Sequence, residues 1–153
     1  MILKDLIIDL DPLHIEGGVE IEIKHITLDS RTAGLGSLFF AVRGVKVDGH
    51  NFINEVITHG AVAIICEDIP ENTYEGVTYI KVSKVNDCIG VIASAFYGHP
   101  SLELTIVGVT GTNGKTTIAT TLYELFTKLG EKSGLISTVE NKIGSEIIPA
   151  THT

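Results

Sequence analysis

The dominant pattern along the chain is a series of short apolar runs separated by polar, glycine-bearing turns. Ile2, Leu3, Leu6, Ile7 and Leu10 recur at helical spacing and predict a short amphipathic helix over 2–10. After Gly17-Gly18, Val19, Ile21 and Ile23 alternate with Glu20, Glu22 and Lys24. This predicts a half-exposed strand that runs toward Leu28 and ends at Asp29-Ser30-Arg31. Leu38-Phe39-Phe40-Ala41-Val42 is apolar throughout, as expected of a strand covered on both faces. A polar loop over 43–50 leads to a helical segment with Phe52, Ile53, Val56 and Ile57 inward and Gly60 as its stop. Ala61–Cys66 and Thr78–Val82 read as two further buried strands. The stripe Val85, Cys88, Ile89, Ile92 and Phe96 predicts a helix over about 84–97, with Ser83 as its cap.

Strands and helices alternating in this order predict an α/β layer domain, small and mixed, over residues 1–99. Gly98-His99-Pro100-Ser101 is the strongest punctuation in the chain and marks a domain boundary. A second domain is expected over 102–153. It opens on an apolar, β-branched run with Ile106, Val107 and Val109, which reads as a buried strand. The run breaks into Thr110-Gly111-Thr112-Asn113-Gly114-Lys115-Thr116 and then into a helical pattern with Ile118, Leu122, Leu125, Phe126 and Leu129 on one side. Gly134-Leu135-Ile136-Ser137 follows as a strand. Asn141-Lys142-Ile143-Gly144 looks like a hairpin turn before Glu146-Ile147-Ile148.

Strand, glycine-rich turn and helix together predict a phosphate-binding loop. Gly111 and Gly114 let the backbone bend tightly and approach an anion. Inward N–H groups and the positive end of the following helix favour phosphate there. Lys115 supplies a point charge for terminal phosphates, and the Thr116 hydroxyl is placed to reach a Mg²⁺ ion. The common spacing G-x-x-x-x-G-K-[ST] would put its first glycine at position 109, where Val109 stands, with Gly108 one place early. The bland alternative is a glycine-rich turn that binds nothing. A Lys-Thr pair opening the helix directly after two glycines argues for nucleotide phosphate.

Composition narrows the partners. The net charge of −8 excludes an extended basic surface for nucleic acid, so an anionic substrate has to be held by local groups. Hydrophobic residues make up 44% of the chain, enough for a globular core. Cys66 and Cys88 lie in apolar runs without a disulfide framework, which fits a reducing compartment. No signal pattern or membrane-length run is present, so a cytoplasmic protein without membrane contact is expected. The six histidines lack metal spacing, and no nucleophile–base arrangement stands out. Asp29 and Asp48 read first as turn-forming or capping residues. The fifty or so residues after position 102 are too few for a full mononucleotide-binding sheet, and they offer no strand ending in a metal-orienting carboxylate. The expectation is the truncated start of a P-loop domain, the front end of a larger enzyme.

Three further stretches carry a resemblance. Leu28-Asp29-Ser30-Arg31, Gly36-Ser37-Leu38-Phe39-Phe40-Ala41-Val42-Arg43-Gly44 and Asp48-Gly49-His50-Asn51-Phe52-Ile53 resemble the N-terminal domain of the Mur ligases. The loop Val109 to Thr117 resembles their ATP site and has the family's own spacing, Val109 included. Folylpolyglutamate synthase and cyanophycin synthetase share such a loop but not the first-domain motifs. Thr112 within the loop favours the MurE type, since the MurF type more often has Ser there. Thr151-His152-Thr153 resembles the start of a MurE segment.

The resemblance implies that residues 1–99 hold the uridine end of UDP-N-acetylmuramoyl-L-alanyl-D-glutamate. The matching residues are Leu28 and Ser30, with Val45, Lys46 and Val47. Val45 stands where many relatives have His, and Lys46 is expected to face the diphosphate. Thr153 matches a residue that helps position this substrate. Thr110 to Thr116 match the ATP loop, with Thr116 on Mg²⁺.

The implied reaction is ATP-dependent amide formation in peptidoglycan synthesis. The D-Glu carboxylate is phosphorylated by ATP, and a diamino acid, meso-diaminopimelate or L-lysine, then displaces phosphate. The diamino acid site, a carbamoylated lysine and further metal ligands would lie outside these residues, so the chain alone is expected to be inactive. A monomeric parent enzyme is expected. The rival readings are a MurF-type ligase adding D-Ala-D-Ala, a non-catalytic nucleotide-sugar binding module, and an unrelated ATPase or kinase.

Overall fold

A computed structural model describes residues 1–45 and 47–150. The chain divides into two compact units, Met1–Leu104 and a second beginning at Thr105.

The first unit is built on a five-stranded sheet. Its strands are β1 (His14–Glu16), β2 (His25–Thr27), β3 (Ser37–Phe40), β4 (Ala61–Cys66) and β5 (Thr78–Lys81), in the order β1-β5-β4-β3-β2. β2, β3, β4 and β5 run parallel to their neighbours, and β1 adds an antiparallel edge on β5. A mostly parallel sheet has to be covered on both faces, and here helices pack on each. Helices α1 (Leu3–Leu6) and α3 (Val85–Phe96) enclose one core with Leu38, Phe40, Ala63, Ile65 and Ile80. Helix α2 (Ile53–Thr58) closes the other with Phe39, Ile64, Cys66 and Tyr79. Adjacent residues such as Leu38 and Phe39 thus face opposite cores, which is why these runs are apolar without interruption.

The α/β class and the strands at Leu38, Ala61 and Thr78 hold, three local expectations change, and one strand, β1, has no counterpart in the sequence pattern. The first helix contracts to Leu3–Leu6, because Ile2 is extended and bridges to Glu22 while Leu3 N–H donates to the Ile21 carbonyl. Residues 19–23 therefore serve that contact and form no ladder of their own. Ser83 does not cap α3. The Glu67 carboxylate at the end of β4 accepts the Val85 N–H at 3.2 Å instead. Strand β1 has a single half-buried apolar residue, Ile15, too little for a periodic signal.

In the second unit, helix α4 (Lys115–Lys128) packs against β6 (Gly134–Ile136), which leads an antiparallel sheet with β7 (Glu140–Ile143) and β8 (Glu146–Pro149). The hairpin is present, but its turn is Gly144-Ser145, with Gly144 at φ 58°, and Asn141 to Ile143 belong to β7. The buried strand expected over Ile106–Val109 is not formed. The segment pairs with no strand among the described residues, and Ile106 and Val107 are exposed. An apolar run becomes a parallel strand only beside a partner, and this unit's sheet offers none to it. Leu135 is the one buried hydrophobic residue described in this unit, and α4 buries none of its own.

Candidate functional site

The first unit carries an open cleft of about 490 Å³ at the carboxyl ends of β2 and β3, where crossover loops leave a parallel sheet. One wall is the turn after β2. There Asp29 accepts the Arg31 N–H at 3.0 Å and forms a bidentate pair with its guanidinium, while Thr27 Oγ1 accepts the Asp29 N–H at 3.0 Å. The turn-forming role read for Asp29 is what the structure displays. The Arg31 fork holds the Asp29 carboxyl at about 2, well under its ordinary value. Leu28, half exposed, and Ser30, nearly buried, face the cleft from this turn.

The opposite wall is the segment after β3, with Val42, Val47 and Gly49 lining the cleft. Gly49 is forced by space. Its N–H donates to the Val42 carbonyl at 2.8 Å, and a Cβ there would lie 2.7 Å from the Val42 backbone. Asp48 accepts the His50 N–H at 2.9 Å and so caps the 3-10 turn Gly49–Phe52 that feeds α2. The backbone N–H of His50, opposed by partial burial and aided by its ring, holds the Asp48 carboxyl below the ordinary carboxylate range. Phe39 and Phe52 form the apolar floor, and Glu55 adds a carboxylate from α2.

Of the residues expected at the uridine end, the structure brings Leu28, Ser30 and Val47 to one cleft. Val45 is fully exposed and not among the lining residues. Lys46 and Thr153 lie outside the described residues. Phe39, Phe52, Arg31 and Glu55 are cleft residues that the sequence reading did not single out. The two phenylalanines carry the same signal as core residues, and only the strand register separates Phe39 from Phe40.

The second unit carries the glycine-rich loop. Gly111 has φ 147° and Gly114 φ 78°, conformations that favour glycine, and Gly114 is the N-cap of α4 with no side chain over the helix end. The first N–H groups of a fourteen-residue helix are thus left without a capping side chain, as anion binding requires. Lys115 folds back so that Nζ donates to the Gly111 carbonyl at 2.5 Å and to that of Thr112 at 3.4 Å. Thr110, Asn113 and the rest of the loop are exposed, and Thr116 is half-buried on the first turn of the helix. This donor set fits a phosphate group. For Mg²⁺ the loop offers hydroxyl groups, that of Thr116 on the first turn of the helix among them, and no group of three His, Cys, Asp or Glu side chains that could hold a metal occurs among the described residues. No described helix is long and apolar enough to cross a membrane.

Comparison with known proteins agrees with this arrangement. The family described as Mur ligase family, catalytic domain, matches residues 22–97, which contain the whole cleft. The UDP-N-acetylmuramoyl-L-alanyl-D-glutamate–2,6-diaminopimelate ligase of Bacteroides thetaiotaomicron is 50% identical over 153 residues, covering 100% of this chain and 32% of its own length. The crystal structure of MurF ligase from Thermotoga maritima in complex with ADP is similar at a TM-score of 0.54 with 35% identity, over 68% of this chain and 23% of that one. A structure of a UDP-N-acetylmuramoyl-L-alanyl-D-glutamate–2,6-diaminopimelate ligase matches at a TM-score of 0.71 over 97% of this chain and 30% of that one. At 21% identity it speaks for the fold alone.

The chain belongs to the Mur ligase family. Within it, the sequence goes with the diaminopimelate ligases, the MurE type, and spans about a third of the length of the curated relatives it matches.

Proposed function

We propose that this chain supplies two binding elements of an ATP-dependent ligase of peptidoglycan synthesis. The cleft of the first unit takes the uridine end of UDP-N-acetylmuramoyl-L-Ala-D-Glu, with Leu28, Ser30 and Val47 at the nucleoside and Lys46 toward the diphosphate. Val45 and Thr153 complete the substrate set. Thr110, Gly111, Thr112, Asn113, Gly114, Lys115 and Thr116 form the ATP loop, with Thr116 reaching Mg²⁺. The relatives' names favour diaminopimelate over lysine as the amino acid added.

The observation that carries the reading is the meeting of Leu28, Ser30 and Val47 over an aromatic floor at the carboxyl ends of β2 and β3. Such a cleft suits a flat base, with apolar surface for its faces and a hydroxyl for its edge. When bound, ATP supplies the phosphoryl group that activates a carboxylate. The loop's share is positioning and charge neutralisation by Lys115 and the helix end. The chain by itself is expected not to form the amide product, and it is expected to act in the cytoplasm as part of a monomeric enzyme.

Calorimetric titration with UDP-N-acetylmuramoyl-L-Ala-D-Glu tests the proposal. One-site binding that Phe52→Ala weakens at least about tenfold is expected, because a stacked ring is worth roughly 1–3 kcal/mol. No heat with this compound, alongside binding of Mg-ATP, would leave a nucleotide-loop protein and remove the cell-wall reading.

A further inference from the structure

The segment between Val42 and Gly49 is held from behind by a charged network that does not line the cleft. Arg43 and Asp48 form an antiparallel backbone bridge at the segment's base, and the Gly44 N–H donates to the Val47 carbonyl at 3.0 Å. The Arg43 guanidinium then spreads over three carboxylates. Its Nε lies 3.5 Å from Asp48, one terminal nitrogen 3.4 Å from Glu67, and the other pairs closely with Asp68. Asp68 is steadied from the other side by Lys81 at 3.4 Å. His50 ties the same groups together: its Nδ1 lies 2.7 Å from Asp48 Oδ1, and its Nε2 accepts the Glu67 N–H at 3.0 Å and the Asp68 N–H at 3.4 Å. Glu67 in turn holds the first turn of α3.

Taken singly, half-exposed ion pairs contribute little. This network differs in joining three elements, the loop after β3, the end of β4 and the start of α3, through one planar fork and one imidazole. Its effect on the cleft passes through the backbone. Asp48 and Arg43 fix the ends of the segment whose Val42, Val47 and Gly49 form one wall.

We propose that Arg43, together with Asp48 and His50, is a positioning clasp that sets this wall for the nucleoside part of the ligand and does not touch the ligand's phosphates. The proposal rests on the uridine-end reading above. Releasing the clasp leaves the wall to be ordered at each binding event, which lowers affinity for any ligand that uses the wall, with or without phosphate.

The test compares uridine and UDP, each titrated by amide NMR against the 153-residue chain, its Arg43→Met variant and its Arg43→Lys variant. Arg43→Met is expected to weaken both ligands by the same factor, roughly tenfold for one or two side chains that must be ordered anew. Arg43→Lys, which keeps the charge but not the fork, is expected to recover part of that loss, and Mg-ATP shifts at Gly111 to Thr116 are expected not to change. A loss confined to UDP would mean that Arg43 meets the phosphates directly and would overturn the clasp. Unchanged affinity for both ligands would overturn it too, while leaving the uridine-end reading intact. Failure of the unaltered chain to bind either ligand would remove that reading and the clasp with it. If Arg43→Met loses its cooperative melt, His50→Gln, which leaves the Arg43 fork in place, is measured instead with the same expected loss for both ligands.

Discussion

Lys115 Nζ lies 2.5 Å from the Gly111 carbonyl oxygen, so the loop's own cation closes the bend that its two glycines make. A phosphate arriving at the helix end meets an ammonium already held over the loop, and it competes with carbonyls for that ammonium's protons. Lys115→Met is therefore expected to lower Mg-ATP affinity by roughly 10- to 100-fold, the worth of a charged hydrogen bond. Because Lys115 is exposed, the unfolding midpoint should hardly move. Unchanged ATP affinity would remove Lys115 from the phosphate site.

Asp29 gives the molecule a defined acid response. Its carboxyl titrates at about 2, below the ordinary 3.8, because the Arg31 side chain and then the Arg31 N–H stabilise the charged form. A depressed pKa of this kind adds stability that is fully present above the ordinary value and is lost as pH falls from near 4 through about 2. Carbon NMR of the side-chain carboxyl is expected to show the low midpoint, and Arg31→Ala should return it toward the ordinary value. A normal midpoint in the unaltered protein would contradict the bidentate pair.

Two glycines should respond with opposite sign. Gly49→Ala puts a Cβ 2.7 Å from the Val42 backbone N and O atoms, which cannot swing aside. A destabilisation of about 1–3 kcal/mol in urea unfolding is expected, as for overpacking elsewhere. Gly90→Ala, inside α3 with no atom within 4 Å of the new methyl, should stabilise by up to about 1 kcal/mol. Equal effects at both positions would mean that the Val42–Gly49 contact is not tight.

Much of the first unit could be read from residue pattern because each buried run is apolar for a simple reason. Ala61–Cys66 has helices over both faces, so every position in it faces a core. What pattern could not supply was identity of partners. Ser83 sits where a cap belongs, yet Glu67, distant in sequence, reaches the Val85 N–H. Ile106 and Val107 are apolar enough for a central strand, but apolarity does not name a neighbour, and they stand exposed. In the cleft, Leu28 and Ser30 came from resemblance, whereas Phe39 and Phe52 were indistinguishable from core until the register was known. The Arg43–Glu67 pairing joins residues on two different strand ends, a relation that no local spacing encodes.

The contrast between the units predicts uneven amide exchange. Amides of β4 and β5, which flank Ile64 and Ile80 in the two cores, should exchange only with global opening. Amides of α4, whose residues are all at least partly exposed, should exchange much faster. Equal protection in β4 and α4 would show that α4 is covered in solution, by self-association for example.

If the cleft after β2 and β3 receives the uridine end of the substrate, its amides must respond to that compound and not to ATP. Amide NMR of the labelled chain, titrated separately with UDP-N-acetylmuramoyl-L-Ala-D-Glu and with Mg-ATP, tests it most directly. Shifts are expected at Leu28 to Arg31 and at Val47 with the UDP compound, and at Gly111 to Thr117 with Mg-ATP. No shift at the first set, or shifts of both sets with ATP alone, would contradict it.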